Sequence, residues 1–269
     1  MERSILFFDI DGTILTETEP KIIPDSTRKA LALARKQGHL VFINTGRVNL
    51  NIEDKIREVG FDGYVCGCGT QIIYQGKELF HHKIPDELCR ETLEIVKKSR
   101  MNVLFEADDM NGIITSEDEN IYFQNLIDYF NSDGRKLVDP DSEEFHFDKF
   151  TGWYRLEDTK LHEDYVRFVE EHYDYIDRGQ EGGYGMCEIV PKGYSKGTGI
   201  QYLLDYFQIP WENSYSFGDS TNDIPMFGAA GHAIAMGGSA KVVQEAVEYV
   251  APPILEDGLY QAMKEYRLI

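Results

Sequence analysis

Short apolar runs alternate with amphipathic stretches at the start of this chain. Ile5–Phe8, Leu40–Ile43 and Tyr64–Cys66 are apolar runs typical of buried strands. Stretches at 27–37 and about 50–59 carry apolar residues at helical spacing, and each is followed by a glycine that ends the pattern. The pattern predicts strands that alternate with helices, as in a parallel sheet with helices on both faces.

The same alternation returns after Pro191. Helices are predicted at 197–207, 222–229, 239–247 and 258–266, with strands at 214–217, 232–236 and 249–251. The two ends of the chain therefore belong to one α/β domain, which we place at residues 1–80 and 190–269.

The middle of the chain has a different pattern, because its strands come in pairs. Helices are predicted at 86–98, 119–130 and 161–171, and strands at 102–107, 112–116, 151–156, 173–177 and 185–190. Paired strands between helices indicate an antiparallel α+β unit. We therefore expect residues 81–189 to form a second domain inserted into the first.

Charge separates the same two parts. Residues 81–189 hold 12 Lys/Arg and 27 Asp/Glu, and so carry −15 of the formal net charge of −20. Such a field repels nucleic acid, which we exclude as a partner. A neutral or cationic ligand suits this acidic field better than a ligand with several phosphates.

Other bulk features point to a cytoplasmic protein. No apolar run approaches the roughly 18–20 residues that span a bilayer, so no membrane partner is expected. The start of the chain lacks the basic region and cleavage site of a signal peptide. The four cysteines lack the spacing of a zinc site and are expected to be reduced thiols. We expect a monomer or a weak homo-oligomer.

Two carboxylates follow the first predicted strand, in the sequence Asp9-Ile10-Asp11-Gly12-Thr13. One carboxylate can attack a phosphoryl group, and the second can protonate a leaving alcohol and later activate water. The alternative is a pair of aspartates that cap a turn.

Three further loops hold groups that suit phosphate and metal. Thr45 and Gly46, after the second strand, offer a hydroxyl and amides to phosphate oxygens. Lys196 opens a helix and could balance anionic charge. The alternatives are a loop with an N-cap threonine and a solvated surface lysine.

The fourth loop is Gly218-Asp219-Ser220-Thr221-Asn222-Asp223. Magnesium prefers oxygen ligands, and Asp9, Asp219 and a backbone carbonyl near Asp11 would supply them, with Asp223 close behind. A capping box for the next helix is the alternative, and it is compatible with a metal site. Together the loops supply what phosphoryl transfer between anions requires: nucleophile, acid/base, phosphate donors, cation and metal ligands.

These motifs, in this order, resemble the four motifs of the haloacid dehalogenase (HAD) superfamily, and the insertion resembles the α+β cap of its Cof-like phosphatase branch. The resemblance covers essentially the whole chain. It implies a Rossmann-like core, Mg²⁺, and small phosphate monoesters, such as sugar phosphates or phosphorylated cofactors, as substrates. Family members often have Asn-Gly after the third strand, where this chain has Cys66-Gly67-Cys68-Gly69.

The resemblance also implies roles by position. Asp9 would be the nucleophile that forms an aspartyl-phosphate, Asp11 the general acid/base and Lys196 the stabilising cation. Thr45, with backbone near Gly46, would hold the phosphate. Asp219 would bind Mg²⁺ with Asp9 and the Asp11 carbonyl, and the loop residues Asn222 and Asp223 would support phosphate and metal.

Two other functions remain open from the sequence. A sugar phosphomutase or phosphotransferase on the same core would need clustered arginines in the inserted domain, where Arg135, Arg155, Arg167 and Arg178 stand scattered. A non-catalytic binding protein would be expected to lose catalytic residues, which are present. Trp153, Tyr154, Arg155 and the glycine-rich run 179–185 are candidates for leaving-group contacts, with core packing and a hairpin turn as the alternatives.

Overall fold

The computed structural model of the protein describes residues 3–116, 120–132, 135 and 137–269. The chain divides into two compact units, one of Met1–Arg47, Asn51–His81 and Tyr194–Ile269, and one of Val48–Leu50 and His82–Gly193. The strands of the first unit are β1 Ile5–Phe8, β2 Leu40–Asn44, β3 Gly63–Cys66, β4 Gln71–Tyr74, β5 Lys77–His81, β11 Ser214–Gly218, β12 His232–Gly237 and β13 Tyr249–Pro253. Its helices are α1 Asp25–Lys36, α2 Asp54–Arg57, α6 Lys196–Phe207, α7 Ile224–Ala229, α8 Lys241–Gln244 and α9 Gly258–Glu265.

The first unit contains an eight-stranded sheet in the order β13-β12-β11-β1-β2-β3-β4-β5. The strands from β13 to β3 in this order are mutually parallel, with Phe8 aligned to Phe217 on one side and to Ile43 on the other. Because these strands run the same way, the loops that follow them lie along one edge of the sheet.

Both faces of this sheet are covered. On one face, Leu6 and Phe8 pack with α1 and α9; on the other, Ile5 and Phe7 pack with α6, α7 and α8. The period of two in a strand sends alternate residues to opposite cores, which is why β1 is buried at every position. The predicted α/β class is confirmed.

The hairpin β4–β5 at the end of the sheet was not predicted. It is antiparallel to β3 and turns at Gln75 and Gly76, both of which have positive φ. Two consecutive positive-φ residues suit the tight turn of a two-residue hairpin. Its second strand, Lys77–His81, has too little apolar alternation to stand out in the sequence.

The predicted helix at 50–59 was wrong for most of its length. Only Asp54–Arg57 is α-helical, preceded by a 3-10 turn at Asn49–Asn51. The carbonyls of Asn51 and Ile52 accept hydrogen bonds from the side chains of Arg47 and Arg57. Side-chain donors therefore take the place of helical N–H groups in this segment.

The second unit is an α+β structure. Its helices are α3 Asp86–Ser99, α4 Ile121–Ser132 and α5 Thr159–His172, and its strands are β6 Asn102–Glu106, β7 Asn111–Ile114, β8 Lys149–Arg155, β9 Tyr173–Glu181 and β10 Tyr184–Pro191. The strands form an antiparallel sheet in the order β7-β6-β8-β10-β9. The predicted start of α4 at 119 lies outside the described residues.

Two candidates for leaving-group contacts have structural roles in this unit. Trp153 packs on Phe123 with ring centroids 5.1 Å apart, in an apolar cluster with Leu104 and Phe130. The glycine-rich run forms the β9–β10 hairpin, with Gly182 and Gly183 at the turn, so the hairpin interpretation is confirmed.

The predictions about the cysteines and about membrane-spanning segments can be compared with the described structure. The four cysteines are free and buried. Among the described residues, no helix combines the length and apolar character that crossing a bilayer requires.

Candidate active site

The predicted site residues follow strands that end at the same edge of the first sheet. Asp9 follows β1, Thr45 follows β2 and Asp219 follows β11, and Asp9 N–H continues the pairing by donating to the Phe217 carbonyl at 2.9 Å. Lys196 is the first residue of α6, after the N-cap Ser195. The fold therefore brings residues from distant parts of the chain to one place.

Lys196 lies between two carboxylates. Its Nζ donates to Asp9 Oδ1 at 2.7 Å and to Asp223 Oδ1 at 2.6 Å. The Lys196 side chain is 1% exposed, so its interpretation as a solvated surface lysine is wrong. Burial alone would lower the pKa of Lys196, but the carboxylates of Asp223 and Asp9 raise it well above its usual range. The ammonium therefore stays charged.

Asp223 is fully buried, and both of its oxygens are engaged. Oδ1 accepts from Lys196, while Oδ2 accepts from the backbone N–H groups of Asp219 and Ser220 at 2.9 and 3.0 Å. The bond from the Ser220 N–H belongs to a capping box between Ser220 and Asp223, so the capping-box interpretation is confirmed. Asp223 therefore pairs with the Lys196 ammonium and also fixes the turn that carries Asp219.

Asp219 has a different environment, because its Oδ1 is buried and has no hydrogen-bond partner among the described residues. Burial, with Asp9 and Asp223 nearby, raises the pKa of Asp219 to about 8. Burial also raises the pKa of Asp9 to about 7, although the Lys196 ammonium opposes this rise. An unpaired buried carboxylate oxygen is costly unless something binds it.

A divalent cation fits this environment. Ligand oxygens of Asp9, Asp219 and Asp223 lie within 4.8 Å of one another. Hard cations prefer oxygen ligands, and Mg²⁺ needs only one or two carboxylates because it keeps several waters. Asp9 and the unpartnered oxygen of Asp219 satisfy that requirement. Gly12 leaves the space open, since a Cβ there would lie 2.2 Å from Asp219 Oδ2.

The Asp11 carboxylate is held by Arg47 and is absent from that group of clustered carboxylates. Arg47 Nη2 donates to Asp11 Oδ1 at 2.7 Å and Nε donates to Oδ2 at 3.0 Å, a bidentate pair. Arg47 also pairs with Glu53 and donates to the Asn51 carbonyl. Sequence reasoning gave Arg47 no role, although its position two residues after Thr45 was a usable signal.

The predicted phosphate-binding residues have simpler surroundings. Thr45 is 2% exposed, and its Oγ1 accepts from the Arg47 N–H at 3.2 Å. Gly46 lies in the bend between these two residues. Asn222 Oδ1 accepts from Ser220 Oγ at 2.6 Å and lies 3.4 Å from Lys196 Nζ. Asn222 therefore lies beside the Lys196 ammonium. Thr45 lies at the end of β2, the strand next to β1.

Known proteins resemble this chain over its full length. A family model for haloacid dehalogenase-like hydrolases matches residues 6–263. YkrA of Bacillus subtilis (strain 168) is 26% identical over 270 residues, covering 100% of both chains. The 5-amino-6-(5-phospho-D-ribitylamino)uracil phosphatase YitU of the same strain is 24% identical over 274 residues, covering 97% of both.

A solved structure gives the same result. A HAD subclass IIB sugar phosphatase is 27% identical and has a TM-score of 0.81, covering 99% of this chain and 100% of that one. The family model spans both parts of the first unit and the insertion between them. The chain belongs to the haloacid dehalogenase-like hydrolase family.

Proposed function

We propose that this protein is a Mg²⁺-dependent phosphatase that hydrolyses small phosphate monoesters through an aspartyl-phosphate on Asp9. The observation that carries the proposal is the buried group formed by Lys196, Asp9 and Asp223, with the unpartnered oxygen of Asp219 beside it. A carboxylate that attacks an anionic phosphoryl group needs positive charge close by, and Lys196 supplies it.

The reaction has two steps. An Asp9 oxygen attacks phosphorus, the bond from phosphorus to the ester oxygen breaks, and Asp11 gives a proton to the departing alkoxide. Water then attacks the phosphorus of the aspartyl-phosphate, Asp11 takes a proton from that water, and Asp9 is released as a carboxylate. Arg47 orients the Asp11 carboxyl group through two hydrogen bonds.

The remaining residues bind the phosphoryl group and the cation. Thr45, amides near Gly46 and Asn222 would donate to phosphoryl oxygens, next to Lys196. Asp9, Asp219 and the Asp11 carbonyl would hold Mg²⁺, with Asp223 behind them, and bound Mg²⁺ would offset the negative charge of the phosphoryl group.

The substrate is proposed from the inserted domain and from the names of relatives. We assign specificity to residues 81–189 and the catalytic core to 1–80 and 190–269. YitU is named for a phosphoribitylamino uracil, and the structural relative is named a sugar phosphatase. A sugar phosphate or a phosphorylated cofactor precursor is therefore the proposed substrate, and the cytoplasm the proposed location.

The phosphomutase alternative is not favoured by the arginines of the second unit. Arg155 pairs with Glu157 at 3.0 Å and Arg167 with Asp164 at 3.5 Å. Arg178 lies 3.9 Å from Glu188, and Arg135 lies over the rings of Tyr129 and Phe130. These four side chains have different neighbours, an arrangement that does not favour one phosphate site shared by all four.

A phosphate-ester panel tests the proposed function. The protein should release phosphate from p-nitrophenyl phosphate and from sugar monophosphates in Mg²⁺, and release should fall to background in EDTA and return with added Mg²⁺. A sugar bisphosphate should react more slowly than its monophosphate because of the acidic insertion. Metal-independent release would contradict the mechanism, and equal rates for the two esters would contradict the charge argument.

Mg²⁺ binding should strengthen with pH. The cation needs Asp219 ionised, and the pKa of Asp219 is raised to about 8, so protons compete with Mg²⁺ below that value. The rise in melting temperature on adding Mg²⁺ should therefore be larger at about pH 9 than at about pH 6. Asp219→Asn should remove this difference, whereas Asp62→Asn should keep it. An equal Mg²⁺ effect at both pH values would count against the site.

A further inference from the structure

We propose that Asn44 is a positioning residue, which fixes the start of α6 against the sheet so that Lys196 reaches Asp9 and Asp223 together. The inference rests on the proposed function, because it concerns the cation of the same site. Asn44 is the last residue of β2 and directly precedes Thr45.

The contact that carries the inference joins two distant parts of the chain. Asn44 is 0% exposed, and its Nδ2 donates to the Lys196 carbonyl at 2.9 Å. In an α-helix that carbonyl already accepts from the N–H four residues later. The helix start also has its own capping box, between Ser195 and Thr198. The start of α6 can therefore form without the hydrogen bond from Asn44. That hydrogen bond instead holds the helix start against β2.

A second close contact is made at the same helix start. Gly69 has φ +93, and a Cβ there would lie 2.3 Å from the Ser195 carbonyl oxygen. Only glycine allows this close approach with this backbone conformation. One turn farther along α6, a Cβ on Gly199 would lie 2.3 Å from Val65 Cγ1. The helix start is thus seated closely against β3 and the turn that follows it.

The turn that seats the helix also holds the predicted phosphate loop. Gly67 N–H donates to the Arg47 carbonyl at 2.8 Å, and Cys68 N–H donates to the Thr45 carbonyl at 3.1 Å. Thr45 N–H donates in turn to the Val65 carbonyl at 2.9 Å. Thr45 and Lys196 are therefore fixed to one another through the turn at 67–69 and through Asn44.

The position of the helix start matters because the Lys196 side chain has little freedom. It is 1% exposed and makes hydrogen bonds of 2.7 and 2.6 Å to two different carboxylates. A buried lysine cannot compensate for a displaced backbone by taking another rotamer as a solvated one does. Displacing the helix start should therefore weaken one of the two contacts.

A double-mutant cycle tests the inference. Asn44→Ala should lower kcat toward p-nitrophenyl phosphate by about 10- to 100-fold, with KM changed far less, as for other groups that orient a reacting residue. In a Lys196→Ala background, the same change should cause little further loss, because the residue through which Asn44 acts is gone. Gly69→Ala should repeat this pattern by displacing the helix start at Ser195, and it carries the test if Asn44→Ala fails to fold.

Ser214→Ala is the matched control. Ser214 is also 0% exposed, and its Oγ bonds the Trp211 carbonyl and the Gly231 N–H, but it lies at the start of β11, away from Asp219. This variant should lower the melting temperature and keep kcat.

The outcomes separate the two proposals. Normal kcat in both folded Asn44→Ala and folded Gly69→Ala would overturn the inference, as would an equal fold-loss from Asn44→Ala with and without Lys196. Normal turnover by Lys196→Ala would instead overturn the proposed function, since the cation itself would then be dispensable.

Discussion

Asp9→Asn is expected to lower phosphate release by at least about 10⁴-fold, because an amide cannot replace a carboxylate nucleophile. The fold should survive the change. An Asn oxygen at this position can still accept from Lys196, which also keeps its bond to Asp223. Removing one of several neighbouring negative charges also lessens the repulsion within the site.

Rapid acid quench followed by intact-mass measurement makes the test specific for a covalent intermediate. The unmodified protein should gain the mass of one phosphoryl group during turnover, and Asp9→Asn should not. Asp62→Asn is the control, since Asp62 accepts the Val41 N–H and pairs with Arg35 elsewhere in the first unit. Phosphate release that persists unchanged in Asp9→Asn would overturn the mechanism.

The sheet of the first unit and its functional edge could be predicted from sequence because both depend on local patterns. Ile5–Phe8 and Leu40–Ile43 are short apolar runs of the kind typical of strands buried on both faces. Once strands alternate with helices, the sheet is parallel and the polar residues after each strand meet at one edge. That Asp9, Thr45 and Asp219 lie close together follows from that rule and can be predicted before any contact is known.

The pairing of individual side chains could not be predicted in this way. Lys196 pairs with Asp9 across 187 residues and bonds Asn44 across 152. No local pattern encodes such distances, so lysine in Ser195-Lys196-Gly197 remained open to a surface interpretation. The bidentate Arg47–Asp11 pair was missed for the same reason.

The different roles of Asp219 and Asp223 also could not be predicted from the sequence. From the sequence, Asp219 and Asp223 are two similar acids in one loop. In the structure both oxygens of Asp223 are occupied, whereas Asp219 Oδ1 is buried without a partner among the described residues. Because a buried polar atom normally has a partner, Asp219 is the stronger candidate for metal binding, and Asp223 is the group that holds Lys196.

Lys196→Met is expected to damage both catalysis and stability. Loss of a preorganised positive group at the proposed phosphoryl site should lower kcat by about 10²- to 10³-fold. Asp9 and Asp223 would remain buried without their cation, and breaking a buried pair in this way costs about 3–5 kcal/mol of unfolding free energy. Urea unfolding of the metal-free protein measures that loss directly.

The stability loss should depend on pH with a definite sign. Burial raises the pKa of Asp9 and the Lys196 ammonium opposes this rise, so without Lys196 the pKa of Asp9 should lie further above its value in the unfolded chain. A carboxyl group with a raised folded-state pKa costs no stability below its unfolded pKa, and the cost grows as pH rises toward the folded value. Lys196→Met should therefore be less destabilised at about pH 5 than at about pH 8.

The second unit offers a matched control in Lys149→Met. Lys149 is 4% exposed and pairs with Glu106 at 3.2 Å and with Glu188. Its removal should also lower stability, because Glu106 and Glu188 lose a buried cation, and Glu188 then has only Arg178 at 3.9 Å among its described ion pairs. Turnover of p-nitrophenyl phosphate should fall far less than in Lys196→Met. Equal losses of kcat in the two variants would mean that Lys196 acts through stability alone, and the proposed charge compensation at Asp9 would then be wrong.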